Sequence, residues 1–115
     1  MTKVTYKTGI KCKIRISGHA GAKRKNGCDL CCAAESVLAY TLIDTVTRFC
    51  PKQTLVFIKD GYVYISFRVT GPKSLCAVVA LKTVVNGFKM LSMNYPDNVK
   101  VQREKEVKND EHICN

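Results

Sequence analysis

Acidic residues are scarce in this sequence of 115 residues, which has 9 aspartates and glutamates against 19 lysines and arginines. The resulting net charge of +10 predicts attraction to nucleic acid or to an acidic protein surface. The basic residues are spread along the whole chain, and no aromatic-interleaved RNA-binding signature accompanies them. Charge alone therefore leaves a basic RNA-associated module open as one interpretation.

Long hydrophobic runs are also missing. We find no apolar run of membrane-spanning length, and the segment MTKVTYKTG lacks the apolar core of a signal peptide. We therefore expect a cytoplasmic protein with no membrane partner. Seven cysteines at irregular spacing make a poor disulfide framework, so we expect free thiols, with Cys12, Cys50 and Cys76 as small apolar core residues.

Several motifs of metal and nucleotide chemistry are absent. The sequence has no HExxH pattern, no phosphate-binding glycine pattern and no convincing pair of carboxylates for acid/base work. These absences argue against the common metallopeptidase and nucleotide-binding classes, and we expect the protein to need no metal or organic cofactor.

Hydrophobic periodicity and turn signals predict elements in the order ββαββαβ. Asp60-Gly61 is the strongest local signal, because this dipeptide favours a two-residue hairpin. The predicted strands are 4–7, 10–17, 55–59, 62–69 and 99–102, and the predicted helices are 30–49 and 74–93. The order favours an α+β sandwich, with two helices packed on a mostly antiparallel sheet of about five strands.

Residues 1–102 form one predicted domain, and residues 103–115, with His112, form a charged and flexible tail. Helical periodicity predicts which side chains reach the core. For the first helix these are Ala34, Leu38, Leu42, Val46 and Phe49, and for the second they are Leu75, Val78, Val79, Val85 and Phe88. Gly87 costs about 1 kcal/mol inside a helix, so we predict that it permits a close packing contact.

The segment 18–36 joins the end of a predicted strand to the start of a predicted helix. His19 follows the strand, and Cys31 and Cys32 come directly after Asp29, a good helix N-cap. A thiol in the first turn of a helix meets unpaired N–H groups and the positive end of the helix dipole, which favour its thiolate. A histidine across the loop is the natural general base. The pattern predicts a cysteine nucleophile with a histidine partner.

Other residues of this segment have supporting roles in that interpretation. Asp29 is either only the N-cap of the helix or an N-cap that also orients His19 or the substrate. Ser36, one turn after Cys32, bonds either within the site or to the helix carbonyl four residues earlier. The loop glycines are Gly18, Gly21 and Gly27. They supply positive φ, in a loop that flexes to admit an extended peptide. The basic run 23–25 is either a solvated loop or a contact to substrate or ribosome.

The same cysteines allow a different interpretation. Cys28 and Cys31 form a CxxC pair, and together with Cys32 and His19 they are the ligand types of a structural zinc site. A lone CxxC is a weak signal because such sites usually have a second knuckle, and the sequence has no other such pair. A zinc-binding domain and a basic RNA-associated module are therefore the alternatives to an enzyme.

The segment around His19 and Cys32 also resembles a known signature. It is similar to that of the ribosomal-processing cysteine protease family Prp. The matching residues are GHAG at 18–21, then Gly27, Asp29, Leu30, Cys32-Ala33-Ala34 and Ser36. The similarity continues through the predicted hairpin at 59–62 and the carboxyl segment 87–101, and so covers most of the chain.

The resemblance implies that Cys32 is the nucleophile and His19 the catalytic histidine, with backbone N–H groups at the helix start stabilising the oxyanion. It implies a homodimeric cysteine endopeptidase that removes an amino-terminal extension from a ribosomal large-subunit protein, protein twenty-seven, before or during ribosome assembly. This chain departs from the family pattern by a loop one residue longer between His19 and Cys32. It also has Cys31 and Glu35 where the family has apolar residues.

Overall fold

The elements of the chain follow the predicted order ββαββαβ. The structure is a computed structural model that describes residues 1–18 and 28–104; for Cys28 and Asp29 it describes the backbone alone. The elements are β1 (Thr2–Lys7), β2 (Lys11–Ser17), α1 (Cys28–Phe49), β3 (Leu55–Lys59), β4 (Tyr62–Arg68), α2 (Pro72–Asn94) and β5 (Val99–Arg103).

The strands form one five-stranded sheet in the order β3-β4-β2-β1-β5. The pairs β1–β2, β2–β4 and β3–β4 are antiparallel, whereas β1 and β5 are parallel. The β3–β4 hairpin turns at Asp60-Gly61 as predicted, with Gly61 at a φ of 73°. Because α2 carries the chain from β4 to the far edge of the sheet, β5 enters beside β1 in the same direction. The predicted mostly antiparallel sheet is confirmed.

Both helices pack on one face of the sheet. Alternate strand residues such as Val4, Ile14 and Ile65 are buried in one cluster with Leu42 of α1 and Phe88 of α2. Since side chains alternate across a strand, the residues between them point to the opposite face. The result is the predicted two-layer sandwich, in which one sheet face is covered by helices.

The predicted core stripe of α1 is only partly correct. Leu42 and Val46 are fully buried, but Phe49 at the carboxyl end is 37% exposed. Gly87 does allow the predicted close approach of the two helices, because a Cβ there would lie 2.7 Å from Cδ2 of Leu38 on α1. The helix contact therefore follows from the glycine more reliably than from the apolar stripe.

The predicted core face of α2 is wrong at its beginning. Val85 and Phe88 are buried, but Leu75 and Val79 are 56% and 64% exposed. Ser74 is buried instead, because its hydroxyl accepts the Gly71 N–H at 3.0 Å and donates to the Gly71 carbonyl at 2.7 Å. The buried face also includes Ala77, Leu81 and Val84. Apolar residues occur on every side of α2, so hydrophobic periodicity did not identify its buried face. The cap at Ser74 turns Leu75 outward.

The expectation that no apolar stretch has membrane-spanning length is also wrong. Leu30–Phe49 and Pro72–Asn94 contain 18-residue stretches with mean hydropathies of 1.3 and 1.4, so both segments are long and apolar enough to cross a membrane. This is weak support for a membrane span, because core helices of soluble proteins pass the same test. Here both helices contribute residues to the common core.

Several boundaries differ from the prediction by one or two residues. β1 begins at Thr2, α1 at Cys28 and α2 at Pro72, where proline suits the first turn of a helix. β5 extends through Arg103, and the Glu104 N–H donates to the Tyr6 carbonyl at 2.7 Å. The ordered pairing thus reaches into the segment predicted to be a tail; its remainder, 105–115 with His112, lies outside the described residues.

Candidate active site

A cleft of about 420 Å³ lies between the amino-terminal half of α1 and the β3–β4 hairpin. On the α1 side it is lined by Cys32, Glu35, Ser36, Ala39 and Tyr40. The opposite wall is the hairpin from Ile58 to Val63, and Ile16 and Gly18 contribute from the end of β2. The cleft therefore gathers residues from the helix and from three neighbouring strands.

The two adjacent cysteines of α1 have different surroundings. Cys31 is completely buried, packs with Val99 and donates its thiol proton to Oε2 of Glu35 at 3.7 Å. Cys32 is half-buried and lines the cleft. Since a nucleophilic thiol has to be reached by its substrate, the cleft geometry favours Cys32 over Cys31.

Glu35 fixes the early part of α1 to the sheet. Its Oε1 accepts the hydroxyl of the buried Thr2 at 3.1 Å, and its Oε2 accepts the Cys31 thiol. The Thr2 N–H donates to the Asn98 carbonyl at 2.8 Å. A carboxylate at this depth is tolerated because it is hydrogen-bonded. This role of Glu35 was not predicted from the sequence, although its spacing of four from Cys31 was a usable signal.

Gly18 holds the end of β2 against the hairpin turn. Its N–H donates to the Gly61 carbonyl at 2.8 Å, and its φ of +94° is in the region that favours glycine. A Cβ at this position would collide with the Met1 carbonyl oxygen. Gly18 is therefore held directly beside the cleft wall. His19, Gly21 and Gly27 lie outside the described residues, so their predicted roles stay predictions.

The prediction that Asp29 is the N-cap of α1 is wrong. The helix includes Cys28, which places Asp29 in its first turn and Cys32 after that turn. Aspartate is also favourable inside the first turn, where it meets the positive end of the helix dipole, so its presence did not distinguish the two positions. A role for Asp29 in orienting His19 or the substrate remains a prediction.

Ser36 is exposed in the cleft, one turn after Cys32. The hydroxyls of Thr45 and Thr47, later in α1, donate at 2.8 Å to carbonyls four residues earlier. Ser36 makes no corresponding bond within the part of the chain that the structure describes. Of the two predicted arrangements, the helix back-bond is therefore not formed, and the hydroxyl faces the cleft.

The remaining described cysteines differ in burial. Cys12 and Cys50 are buried as predicted, and burial raises the pKa of each thiol above its ordinary value. Cys76 is exposed on α2, so its prediction as a core residue is wrong. It belongs to the same misjudged helix face as Leu75 and Val79. Cys76 consequently provides an exposed thiol outside the cleft.

The zinc interpretation gains no support from the described residues. Among the side chains that the structure describes, in 1–18 and 30–104, no three His, Cys, Asp or Glu residues are grouped as ligands for one metal ion. Cys31 and Cys32, two of the four ligands that this site needs, face the core and the cleft respectively. The geometry fits a thiol that reacts in a cleft better than a thiolate that closes a metal site.

The hairpin wall of the cleft was not predicted from the sequence. Asp60 and Tyr62 line it, opposite Tyr40 of α1. The Asp60-Gly61 turn itself was predicted. Its place beside Gly18 depends on the pairing of β2 with β4, in which Ser17 lies opposite Tyr62. That pairing is remote in sequence and became visible only in the sheet.

Comparison with solved structures shows the same fold. The Staphylococcus aureus ribosomal processing protease Prp, in complex with a covalently linked product peptide, superposes with a TM-score of 0.72 at 18% identity, covering 90% of this chain and 100% of that chain. The same protease with a substrate peptide gives 0.72 at 16% identity, with the same coverage. A protein from Streptococcus mutans gives 0.71 at 23% identity, covering 92% of this chain and 96% of that chain.

Sequence comparison identifies the family. No curated protein sequence matches the chain. The family described as cysteine protease Prp matches residues 1–100, a range that contains both predicted catalytic residues, all seven elements except the end of β5, and the cleft. The chain belongs to the cysteine protease Prp family.

Proposed function

We propose that this cysteine protease is a cytoplasmic endopeptidase that removes the amino-terminal extension of a ribosomal large-subunit protein, protein twenty-seven. The observation that carries the proposal is the position of Cys32, half-buried on the wall of an open cleft while the neighbouring Cys31 is buried. The Staphylococcus aureus relative, a ribosomal processing protease with the same fold, holds a substrate peptide. That likeness supports a peptide as the ligand of the cleft.

In the proposed reaction the thiol of Cys32 loses its proton to His19 and its sulfur attacks the scissile carbonyl carbon. The C–N bond breaks as His19 returns the proton to the leaving amine, and the acyl group remains on Cys32 as a thioester. Water then attacks the thioester, releases the carboxylate product and restores the thiol. His19 follows Gly18 in the sequence, and Gly18 lines the same cleft as Cys32.

Because Cys32 lies after the first turn of α1, we propose that His19 contributes more to the activation of its thiol than the helix dipole does. The helix dipole acts mainly within the first turn, and only the first four N–H groups of a helix lack partners inside it. Because α1 includes Cys28, the Cys32 N–H follows those four positions. We therefore propose that the oxyanion is stabilised by N–H groups that precede Cys32, rather than by the N–H of Cys32 itself.

The cleft suits an extended peptide. It is open on one side, and its hairpin wall ends at the edge strand β3, where the exposed Ile58 provides apolar surface. Asp60 on the same wall and Glu35 opposite give the cleft acidic groups within an otherwise basic protein. A flexible terminal extension can enter such a cleft without unfolding the protein that carries it.

Cleavage of the precursor tests the proposal. Purified protein is incubated with the extended ribosomal protein, and mass spectrometry identifies the new amino terminus. We expect one cut, absent with Cys32→Ala and His19→Ala and retained with Cys31→Val. If the precursor instead stays intact while Cys32 forms an adduct with a peptide-based thiol-protease inhibitor, the enzyme has another substrate.

We also propose that the enzyme is a homodimer, joined through the outer surface of its helix layer. Val79, Met90 and Met93 are 64%, 65% and 80% exposed on α2, and Val37 of α1 is 64% exposed beside Met90. A groove between the helices is lined by Val37, Met90 and Leu91. Light scattering of the wild-type protein should give twice the mass of one chain. The double variant Val79→Lys with Met90→Lys should be a monomer. A wild-type monomer at micromolar concentration would contradict the proposal.

A further inference from the structure

The sheet face that points away from the helices is strongly basic. We call it the outer face; it consists of the strand residues that alternate with the core residues, and no described helix covers it. Its basic side chains include Lys3, Lys11, Lys13, Arg15, Arg68 and Lys100. Strand register brings them together, since Lys3 pairs with Lys100 and Lys11 pairs with Arg68. Basic residues that are dispersed in the sequence therefore share one surface.

Carboxylates are almost absent from the described part of this surface. None of the five strands contains an aspartate or a glutamate. Glu104, just after β5, forms a salt bridge with Lys13 at 3.3 Å, and the other lysines of the face have no such neighbour among the described residues. A surface of one sign attracts a polyanion more strongly than it attracts a single charged group.

Aromatic rings lie among the basic residues. Phe57, Tyr64 and Arg15 stand side by side on β3, β4 and β2, because Phe57 pairs with Tyr64 and Tyr64 pairs with Arg15. Phe57 is 50% exposed. The Arg15 guanidinium lies over the Tyr64 ring, 5.3 Å from its centroid, and Phe57 meets Tyr62 edge to face at 5.9 Å. The face thus carries a connected set of planar groups.

The planar groups are held in place by one another. Arg15 Nε donates to the hydroxyl of Tyr62 at 3.1 Å while its guanidinium stays over Tyr64. Both tyrosines are half-buried, so their rings are restrained by neighbouring side chains. Restrained rings lose little conformational entropy when a ligand stacks on them.

We infer that the outer face binds single-stranded RNA, with bases stacked on Phe57, Tyr64 and Arg15 and phosphates on the surrounding lysines. Stacking platforms within a positively charged surface are how proteins hold unpaired nucleotides. A membrane or an acidic peptide would engage the lysines but leave the rings unexplained. The choice of RNA over single-stranded DNA rests on the proposed function, because a ribosomal substrate brings the protein close to RNA.

Fluorescence anisotropy with a labelled, unstructured RNA of about 16 nucleotides tests the inference. The full chain carrying Cys32→Ala is titrated at about 50 to 200 mM KCl, so that binding is measured without peptidase activity. We expect Phe57→Ala to weaken binding at least about fivefold. The matched control is Phe49→Ala, which removes an exposed aromatic residue at the end of α1 and should leave binding unchanged.

Charge is tested with paired variants of equal net charge. Lys3→Gln with Lys100→Gln removes two neighbours on the outer face, whereas Lys73→Gln with Lys82→Gln removes two exposed lysines of α2. We expect the first pair to reduce the slope of log K against log salt by about 1.4, which is two phosphate contacts on a single strand. We expect the second pair to change it little.

Several outcomes would overturn the inference. One is no RNA binding, and another is equal weakening by both lysine pairs, which indicates diffuse attraction. A third is loss of binding in Lys23→Gln with Lys25→Gln but not in the outer-face variants, which assigns the RNA to the loop. Binding of polyglutamate, anionic vesicles, duplex RNA or single-stranded DNA more tightly than the RNA would also contradict it. None of these outcomes alters precursor cleavage, so failure here and failure of the proposed peptidase function remain distinguishable.

Discussion

The two ends of helix α1 give cysteine two different environments. Near the amino-terminal end Cys32 is half-buried and lines a cleft. Directly after the other end Cys50 is buried, its N–H donates to the Val46 carbonyl at 2.8 Å, and burial raises its pKa. One residue type therefore lines an open cleft near one end of the helix and packs in the core just after the other end. The difference lies in what surrounds each thiol: an open hairpin wall at one end and the sheet at the other.

The largest expected effect compares Cys32 with its immediate neighbour. Cys32→Ala should lower the rate of precursor cleavage by on the order of 10³-fold or more, because the nucleophile is removed. Cys31→Val should retain most activity, since Cys31 is a buried packing residue beside Val99. Rates from mass spectrometry of the product decide between them. The reverse result would move the nucleophile to Cys31 and contradict the cleft assignment.

The second effect compares thiols by their reaction with an alkylating reagent near pH 7. Cys32 should react at least about ten times faster than Cys12 and Cys50, because burial both blocks these two thiols and raises their pKa. Cys76 is the sharper control, since it is exposed but lies outside the cleft. Peptide mapping after short labelling gives the four rates.

The partner of Cys32 is tested by the same labelling. If His19 activates the thiol, His19→Ala should slow Cys32 to the rate of Cys76 and leave Cys76 unchanged. Equal rates at Cys32 and Cys76 in the wild-type protein would mean that exposure alone explains the labelling, with no activated nucleophile.

The third effect concerns the contact between the two helices. Gly87→Leu should lower the free energy of unfolding by about 1–3 kcal/mol, because even its Cβ would lie 2.7 Å from Leu38 Cδ2. Combining it with Leu38→Ala should recover part of that loss, since the colliding methyl groups are gone. Asn86→Leu, one residue earlier on the exposed side of α2, is the matched control. If the losses in free energy of unfolding from Gly87→Leu and Leu38→Ala simply add in urea denaturation, the destabilisation does not come from a collision between these two residues.

The fold was largely predictable because its signals are local. Asp60-Gly61 fixed one hairpin, alternation fixed β2, and Gly87 marked the helix contact. The buried face of α2 was not predictable from hydrophobic periodicity, because this helix has apolar residues on every side. Its rotation is determined by the cap between Ser74 and Gly71, which a pattern of hydrophobicity does not include.

The sequence predicts candidate site residues, but it does not predict the cleft that Cys32 lines. The motif around Cys32 predicts which thiol is the nucleophile, whereas the hairpin wall and the Glu35–Thr2 bond join residues far apart in sequence. The same limit hid the outer face. Lys3 and Lys100 become neighbours only because β5 adds to the sheet beside β1, and sequence spacing carries no information about that strand order.

The smallest effect is a loss of stability at alkaline pH that comes from the buried thiols. Unfolded cysteine titrates near pH 8.5, whereas burial raises the pKa of Cys12 and Cys50 in the folded protein. As the pH rises through that interval, the unfolded state releases protons that the native state retains, so stability falls. The stabilisation is complete below about pH 8 and is lost as the pH passes the folded values.

Each buried thiol can contribute at most about 1.4 kcal/mol per pH unit to that fall. Cys12→Ala should therefore flatten the decline in urea-unfolding free energy between about pH 8.5 and 10, while its difference from wild type stays constant between pH 6 and 8. Lysines and tyrosines titrate in the same range, but they are common to both proteins and cancel in the difference. Cys50→Ala, which removes the other buried thiol with a raised pKa, should flatten the decline in the same direction. An unchanged slope in both variants would contradict a raised pKa of these two thiols in the folded protein.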